Sequence, residues 1–498
     1  MTAGATAPAT IDVGHEAWAR RWTYREDGRF TLEAAELVRP EDAARRDGGL
    51  AVGSGRAVRV ALLVAGDDRA EAGARAALLA GGAQLVATLR AGDRGTLSER
   101  AAALRAARPD LALLLATDGR GAEGATDLAE ALRAGCGRQQ PAPGVLVAGE
   151  PRTTLRLHRV LDELAVEVLS DPRRDDGHAA IVGRCRELRR GADEGLVLRD
   201  EALAALARAL ARIAGAAAVA VDVTGDLTSV VRADPGGRVA AVHASGIGVG
   251  RGADLVVARA GLDRVRRWVP WPVDGPSLLE RVFNRARWPD AVPAGVSALV
   301  LEIALAHEAI AHALETADAA GIPSAPFRDA PLVVLCGRPA ILPRPAQTLL
   351  LALDAIVPAT LCSVLRDGSD ALVALGALSS RARDADPAAA IAVEVEARHK
   401  AIALVAPLDA PRPTVRIRTE AGAREERVPR GALTVIDAKG TVELEAAGAP
   451  LRGSGVAGPL GLVLDARRPL ELPPRDAERV PLVRSWYDAL GALPRMSP

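Results

Sequence analysis

The segment Val219–Val231, VAVDVTGDLTSVV, carries a carboxylate within an otherwise apolar stretch. Asp222 interrupts the apolar run, and a turn containing Gly225 follows it. Burying a carboxylate is costly unless a partner or an ion satisfies it. One interpretation is a turn whose amides hold phosphate groups while Asp222 organises a metal ion. The other is an ordinary hairpin whose aspartate caps its own loop.

A second pattern, GxGxxG, is formed by Gly119, Gly121 and Gly124 between an expected strand and an expected helix. This context is typical of dinucleotide binding, in which backbone amides and a helix N-terminus face a pyrophosphate. Glu150 ends the next expected strand, where an acid could bind the ribose. However, the glycines follow the third strand of their region, and the chain has 48 glycines. An ordinary strand–helix turn is therefore the competing interpretation.

Other candidate groups give weaker indications of chemistry. His307 and His312 in HEAIAH are five residues apart, roughly 140° around a helix, so they cannot bind one zinc ion as an i, i+4 pair does. We expect solvated helix histidines there. The chain has no GxSxG elbow, and no cysteine has an obvious histidine partner, so nucleophilic catalysis has no support. The loop 246–254, GIGVGRGAD, fits either a close approach to a ligand or a turn that needs positive φ.

Composition limits the class of protein that positions these groups. The 498 residues contain 63 Lys+Arg and 63 Asp+Glu, so the formal net charge is zero, and neither nucleic acid nor a membrane is an expected partner. Hydrophobic residues make up 49% and aromatic residues 2%, which favours α/β layers with closely packed helices. The four cysteines form no CxxC pair, and we find neither a signal peptide nor an apolar run of membrane-spanning length. A cytoplasmic protein is expected.

Strand and helix patterns divide the chain into four regions. Residues 1–55 are irregular, with a strand pair predicted around Asp27-Gly28. Alternating strands and helices over 56–172 predict a compact α/β subdomain with a parallel sheet. A second α/β unit covers 173–390, and 391–498 is predicted to be a small β-rich domain with a terminal helix.

Several segments together resemble the glutamate mutase L family, the MutL-like accessory proteins of adenosylcobalamin-dependent mutases. The resemblance lies in the order of segments that cover most of residues 57–492. These segments are RVALLVAG, RPDLALLLATDG, VAVDVTGDLTSVV, ERVFNRARWPDAVP, LEIALAHEA, LPRPAQTLLLALDAIVPATLCSVLRDGSDALVALGAL and GPLGLVLDARRPLELPPRDAERVPLVRSWYDALGAL.

The resemblance implies an actin-like ATPase (ASKHA) fold, in which ATP lies between two ribonuclease H-like halves. Residues 1–55 would begin the first half, 56–172 would be an inserted flavodoxin-like subdomain, and 173–390 would form the second half. Two hairpins would hold the phosphates, and a glycine-rich loop would hold the adenosine. By this resemblance Asp12 and Asp222 position Mg²⁺. The nucleotide contacts are assigned to Asp12, Gly14, Asp222, Gly225, Thr228 and Gly337.

All three nucleotide elements depart from the family pattern. Thr224 replaces a glycine of the second hairpin, and its Cβ restricts positive φ. The first hairpin carries Glu16, which would repel a triphosphate, and the bulky Trp18. In the adenosine loop Arg338-Pro339 replaces two glycines, and a proline offers no amide. We therefore expect ATP and Mg²⁺ to be weakly bound or lost, and Asp222 to be a remnant satisfied by local amides or by Thr228.

Three functional hypotheses follow. The first is a pseudoenzyme that serves as an accessory protein of a cobalamin-dependent mutase. The second is a working Mg·ATP-dependent ATPase that assembles or reactivates such a mutase. The third is a dinucleotide-binding enzyme that uses Gly119–Gly124. The chain lacks the D-x-H-x-x-G motif, so direct cobalamin ligation is not expected, and neither is zinc. We also expect the strands around Asp12 and Asp222 to be equivalent in two related halves.

Overall fold

The computed structural model describes most of the chain. The described residues are 6–12, 17–24, 30–38, 50–117, 122–149, 151–192, 195–381, 391–392, 395, 401–410, 413–447 and 451–494. The chain is a mixed α/β protein with parallel sheets, as the sequence pattern predicts.

The strands, in chain order, are β1 (Thr6–Asp12), β2 (Ala17–Tyr24), β3 (Phe30–Val38), β4 (Leu50–Gly53), β5 (Arg59–Val64), β6 (Gln84–Arg90), β7 (Leu111–Ala116), β8 (Gly144–Gly149), β9 (Val166–Leu169), β10 (Leu196–Leu198), β11 (Ala218–Val223), β12 (Leu227–Ala233), β13 (Val239–Ser245), β14 (Leu332–Gly337), β15 (Cys362–Arg366), β16 (Ala403–Pro407), β17 (Thr414–Thr419), β18 (Gly422–Arg427), β19 (Leu433–Ile436), β20 (Gly440–Ala447), β21 (Arg452–Ala457) and β22 (Leu462–Asp465).

The helices, in chain order, are α1 (Asp68–Ala80), α2 (Leu97–Ala107), α3 (Ala122–Cys136), α4 (Pro151–Val160), α5 (Asp175–Arg190), α6 (Arg199–Ala214), α7 (Ala253–Ala260), α8 (Leu262–Arg266), α9 (Gly275–Arg287), α10 (Val296–Ala319), α11 (Ala325–Arg328), α12 (Pro345–Leu351), α13 (Ala371–Arg381) and α14 (Asp476–Leu490). A π-helix, Ala352–Ile356, directly follows α12.

The N-terminal sheet has the strand order β10-β4-β1-β2-β3. Strands β1, β2 and β3 form an antiparallel meander, and β4 and β10 add to β1 in parallel. The predicted strand pair around Asp27-Gly28 is β2 with β3, although these two turn residues lie outside the described ranges. The connection from β4 to β10 contains a second, separate sheet.

That second sheet is entirely parallel, with the order β6-β5-β7-β8-β9. This is the 2-1-3-4-5 order of flavodoxin-like folds. Strands β5 and β7 are almost completely buried, because helices cover both faces of such a sheet. Helix α5 packs Ile181 and Cys185 into one of the two cores of this unit. The unit thus extends past the boundary predicted at residue 172, because the apolar face of α5 completes its core.

The largest sheet has eight strands in the order β13-β12-β11-β14-β15-β16-β22-β19. Strands β11, β12 and β13 form an antiparallel meander, and β14 and β15 add to β11 in parallel. The first five strands therefore repeat the order and directions of the N-terminal sheet. In this repeat β11 corresponds to β1, because each pairs with an antiparallel strand on one side and a parallel strand on the other. Asp222 and Asp12 both lie near the carboxyl ends of these corresponding strands.

Side chains of β11 alternate between the two cores that cover the large sheet. Val219, Val221 and Val223 face one core, and Ala218 and Ala220 face the other. The second core also contains α6 and α13, which lie side by side and reach Val52 of β4. These two helices therefore lie between the N-terminal sheet and the large sheet.

The C-terminal strands do not form an independent domain, as the predicted boundary at 391 would require. Strand β16 pairs with β15, and β22 and β19 continue the large sheet beyond it. The other strands, β17, β18, β20 and β21, form a separate four-stranded sheet. The alternation in this region correctly predicts strands, but it carries no information about which sheet each strand joins.

Helix α10 is long and apolar enough to cross a membrane by length and composition, which differs from our sequence expectation. Two thirds of its apolar window, 67%, is buried inside the protein. Residues such as Leu305 and Ala309 lie in the core against the large sheet. Its apolar character is thus explained by its position as a core helix.

Candidate functional site

Asp222 is bound by an arginine that the sequence interpretation did not identify. The carboxylate is 1% exposed and accepts two hydrogen bonds from Arg199, at 2.6 Å from Nε and 3.1 Å from Nη2. Arg199 is the first residue of α6 and is itself 2% exposed. Its Nη2 also donates to Asp370 at 2.5 Å, just before α13. Asp222, Arg199 and Asp370, here called the Arg199 cluster, link β11 to the N-termini of α6 and α13.

The electrostatics of the Arg199 cluster follow from two carboxylates that share one cation. A cation at a helix N-terminus is unfavourable to the helix dipole, and the carboxylates offset this cost. Burial would lower the pKa of Arg199, but Asp222 and Asp370 together raise it well above its ordinary value. Burial raises the pKa of Asp222 despite the guanidinium, and the nearby Asp370 adds to that increase. The cluster keeps Arg199 positively charged in the interior.

Thr224 organises the turn that the resemblance assigns to phosphate binding. Its hydroxyl accepts hydrogen bonds from the amides of Asp226 and Leu227, at 3.4 and 3.0 Å. Its own amide donates to the carbonyl of Leu227 at 2.8 Å. The amides that would face a phosphate are therefore used inside the turn. Thr224 also has no positive φ, so its effect is a hydroxyl-capped turn and not the backbone restriction expected from its Cβ.

The glycine-rich loop 246–252 packs directly on this turn. The amides of Gly250 and Gly252 both donate to the carbonyl of Gly225, at 3.0 and 2.8 Å. A Cβ at Gly248 would lie 2.6 Å from the amide nitrogen of Asp226, so only glycine permits this approach. The glycines of this loop are thus explained by backbone packing against the turn, without a ligand.

The remaining predicted nucleotide residues have local structural partners. Thr228 donates its hydroxyl proton to the carbonyl of Ile247 at 2.9 Å and does not contact Asp222 through a described hydrogen bond, contrary to expectation. Gly337 has φ +65°, and a Cβ there would lie 2.5 Å from Oδ1 of Asp222. Arg338 donates from its amide to the carbonyl of Val223 at 2.9 Å. The structure therefore places Asp222, Gly225, Thr228 and Gly337 close together, each with a partner within the protein.

The first hairpin can be placed only through its strand. In the parallel register Ile11 is opposite Val52, and Val52 is opposite Val197. Asp12 therefore lies at the level of Leu198, two strands away, which corresponds to about 10 Å between backbones. Leu198 directly precedes Arg199, so both aspartate strands end on the same side of the molecule as the Arg199 cluster. Gly14 lies outside the described residues.

Asp222 as observed does not fit a metal ligand. Both carboxylate oxygens lie within hydrogen-bond distance of a guanidinium that remains positively charged. A cation beside Arg199 would experience repulsion in a medium with little screening. Within the ranges that the structure describes, no group of three or more His, Cys, Asp or Glu side chains is arranged to hold a metal ion. We therefore assign no step to Mg²⁺ at this position.

A second buried polar group, also unpredicted, lies beside the Arg199 cluster. Nδ1 of His243 and the hydroxyl of Ser229 form a hydrogen bond of 3.0 Å. Nε2 of the same ring lies 3.8 Å from the carboxylate of Asp200. Asp200 is paired with Arg189 at 2.7 Å. Burial lowers the pKa of His243 to about 4, whereas Arg189 and His243 outweigh burial and lower the pKa of Asp200 to about 2.

This order of Ser229, His243 and Asp200 superficially resembles a catalytic triad. However, Ser229 and His243 are 1% and 0% exposed, and 3.8 Å is too long for a hydrogen bond. No substrate can reach the serine in this conformation. These three residues are therefore part of the core. In the sequence, the charged pair Arg199-Asp200 at the start of α6, close to apolar strands, was the feature that could have indicated them.

The other sequence candidates are not assembled into a site. Gly119 and Gly121 lie outside the described residues, and Gly124 lies in the first turn of α3, where a Cβ would be 2.6 Å from Ala91. Close packing thus explains Gly124 without a dinucleotide. His307 is only 4% exposed, so the expectation of a solvated histidine was wrong: it stacks on Trp268 with 3.7 Å between ring centroids.

Comparisons with known proteins give only distant similarities. No protein-family model matches the chain, and no curated protein sequence matches it. Among solved structures, the chain is similar to a Ppx/GppA protein of Aquifex aeolicus, with 10% identity, 69% of this chain and 72% of that chain covered, and a TM-score of 0.21. It is also similar to a nucleotide-free acetone carboxylase structure, with 11% identity, coverage of 85% and 80%, and a TM-score of 0.29.

A third similarity is to a carbohydrate kinase from Novosphingobium aromaticivorans, with 14% identity, 80% of this chain and 100% of that chain covered, and a TM-score of 0.24. Similarities of this size establish neither a fold family nor a function for the chain.

Proposed function

We propose that this chain is a non-catalytic accessory protein with an actin-like arrangement of two related halves and a degenerate nucleotide site. The observation that carries the proposal is the Arg199 cluster, in which an arginine holds the aspartate that the resemblance assigns to Mg²⁺. The repeated strand order of the N-terminal and large sheets supports the two-half arrangement. The resemblance to glutamate mutase L proteins supports a cobalamin-dependent mutase as the partner.

The energetics favour the ion pair over a nucleotide. Breaking a buried ion pair by removing one partner typically costs about 3–5 kcal/mol. Mg·ATP would have to overcome this cost, and it would also have to displace the hydrogen bonds that Thr224 makes within its turn. At about 1.4 kcal/mol for each tenfold in affinity, the ion pair alone corresponds to about two to three and a half decades. A micromolar site would thereby become millimolar.

Calorimetric titration of the purified full chain with Mg·ATP tests this proposal. We expect no binding heat and no rise in melting temperature at about 1 mM Mg·ATP, a concentration that reveals micromolar sites. NAD serves as the parallel titrant and is also expected to give no heat. A rise of several degrees with Mg·ATP would contradict the proposal and favour an ATPase that assembles or reactivates the mutase.

The partner is tested separately, with a purified adenosylcobalamin-dependent mutase from the same organism. We expect the chain to bind the mutase, or to restore activity to inactivated mutase, to the same extent with and without Mg·ATP. Binding that requires ATP would favour the active ATPase. Absence of both binding and reactivation would contradict the accessory role while leaving the degenerate nucleotide site intact.

A further inference from the structure

A cavity of about 820 Å³ lies beyond the ends of the strands of the large sheet, on the side opposite to the Arg199 cluster. Its walls come from the segments that precede β14 and β15 and from those that follow β16 and β22, together with α8 and α10. Its size is that of a small-molecule site, in the range of about 300–1,000 Å³. Strands β16 and β22 are parallel, and ligands of α/β sheets commonly lie beyond the carboxyl ends of parallel strands.

His307 lines this cavity and has unused hydrogen-bonding groups. The side chain is more than nine-tenths buried, with an exposure of 6%. Neither ring nitrogen makes a hydrogen bond in the part of the chain that the structure describes, and Nδ1 lies 3.4 Å from Oε1 of Glu308. The ring stacks on Trp268, which also lines the cavity and donates its indole N–H to Glu308 at 2.7 Å. Buried polar atoms without partners are uncommon in native proteins, so Nε2 requires an explanation.

Two arginines of the same cavity, Arg468 and Arg328, form no described ion pair. Nε and Nη2 of Arg468 are buried and make no hydrogen bond to any described residue. Arg328 is exposed at the rim and forms no described ion pair, although its charge adds to the hydrogen bonds of Ser324 that lower the pKa of Asp318. Burial lowers the pKa of Arg468, the charges of Asp465 and Asp409 oppose this decrease only in part, and the charge of Arg328 adds to it. An anion that contacts both guanidinium groups would make charge-assisted hydrogen bonds to each.

The carboxylates on the cavity wall do not supply this anion. Asp263 pairs with Arg266 at 3.3 Å, and Glu315 pairs with Arg264 at 2.7 Å. Asp354 pairs with Arg467 at 2.6 Å, and Asp318 accepts the amide of Ser324 at 2.7 Å. The remaining one, Asp409, is exposed and forms no described ion pair with Arg468, so it acts on that guanidinium only through its charge.

The backbone beside the cavity is strained. Asp354 lies within the π-helix, and Val357, directly after it, has φ +53°. Positive φ is a genuine outlier for a β-branched residue, and π-helical turns occur frequently at functional sites. Strain of this kind persists where the surrounding structure holds the residue in place, and it is concentrated at ligand sites.

From these observations we propose that the cavity binds a small organic oxyanion, with Arg468, Arg328 and His307 Nε2 as its polar contacts and Trp268 beside it as an apolar wall. The shared chemistry of the ligand is a phosphate or carboxylate group on a small molecule. Two guanidinium groups and a ring nitrogen can contact several oxygens of such a group at once. This inference is independent of the proposed degenerate nucleotide site, which lies at the opposite ends of the strands of the large sheet.

Isothermal titration of the full chain with pyrophosphate and, separately, with citrate tests the proposal. We expect at least one of the two to bind with a measurable heat. Arg468→Gln and Arg328→Gln should each weaken binding by about tenfold or more, since hydrogen bonds to charged groups carry this weight. His307→Phe, which keeps the ring stack, should weaken it as well. Arg416→Gln is the control, because Arg416 pairs with Glu425 on the separate four-stranded sheet.

The pattern of affinities decides the outcome. Stronger binding of pyrophosphate identifies a phosphate ligand, and stronger binding of citrate identifies a carboxylate ligand. Heat that Arg416→Gln reduces as much as Arg328→Gln does would indicate nonspecific attraction and overturn the proposal. Absence of heat with both anions at about 10 mM would also overturn it. Arg328 is exposed, so its substitution tests binding without disturbing the fold.

Discussion

A single guanidinium holds together three segments that are distant in the sequence: the end of β11, the start of α6 and the start of α13. Arg199 does so by sharing its donors between Asp222 and Asp370. Removing Asp222 leaves a buried cation with one carboxylate. Removal of one member of a buried pair costs about 3–5 kcal/mol, and we expect the lower end because Asp370 remains.

The variant Asp222→Ala should therefore reduce the free energy of unfolding by about 3 kcal/mol in urea. Asp226→Ala is the matched control, because Asp226 is half-buried in the same turn and its carboxylate lies 3.5 Å from the Thr224 hydroxyl. We expect a loss below about 1 kcal/mol for the control. Equal losses in the two variants would mean that the Arg199 cluster does not stabilise the fold.

His243 should make stability depend on pH. Its pKa is about 4 in the folded protein, against an ordinary value of 6.5. Between these values the unfolded chain binds more protons, so stability falls as pH decreases from about 6.5 to about 4. From pH 7 to pH 5 this one group should remove about 2 kcal/mol. Urea unfolding at both pH values should show this loss in the native protein and a smaller loss in His243→Asn.

The exposed His158 provides the control for that measurement. His158→Gln should keep the native pH dependence. If His243→Asn loses as much stability between pH 7 and pH 5 as the native protein, His243 is not the group that takes up the proton on unfolding.

At the scale of elements, the close packing of α6 on α13 sets the distance between the helices that carry the Arg199 cluster. A Cβ at Gly376 of α13 would lie 2.2 Å from the carbonyl oxygen of Ala202 in α6. Gly376→Ala should thus force the helices apart and cost about 1–3 kcal/mol in unfolding free energy. Gly183 of α5 is also within a helix, but nothing lies within 4 Å of its Cβ position.

Gly183→Ala should consequently be neutral or stabilise the protein by about 0.5–1 kcal/mol, because alanine is the better helix former. Both substitutions add the same methyl group to a helix, so the difference between them measures helix packing alone. A neutral effect of Gly376→Ala would show that α6 and α13 separate without cost and that their spacing does not fix the cluster.

The elements themselves were predictable where the pattern was strong. The buried strands β5, β7 and β11 and the helix α6 follow directly from apolar runs and helical periodicity. The Arg199 cluster was not predictable, because Arg199 is 23 residues from Asp222 and 171 residues from Asp370. The three side chains meet only through the sheet order. A cation at the start of a helix was the available signal, since it opposes the helix dipole.

At the scale of the whole molecule, Arg189 joins the inserted α/β unit to the rest of the chain. It lies in α5 and is 2% exposed. Its guanidinium donates to the carbonyl of Gly81 after α1, to the carbonyl of Ser54 after β4, and to Asp200 of α6 at 2.7 Å. One side chain thus contacts the insert, the N-terminal sheet and the helix of the Arg199 cluster.

We expect Arg189→Leu to increase local opening in all three places together. After the substitution, the nearest described basic groups to the Asp200 carboxylate are Arg186 Nε and His243 Nε2, each at 3.8 Å. Loss of about 3 kcal/mol corresponds to about hundredfold faster hydrogen exchange in segments that open through this contact. Mass spectrometry should show the increase in peptides from β4, the C-terminus of α1 and the N-terminus of α6.

Arg184→Leu, which removes a pair with Glu187 inside α5, should change exchange only near that helix. Faster exchange confined to α6 in Arg189→Leu would mean that the insert is held by its apolar contacts and that Arg189 does not couple it to the rest of the protein.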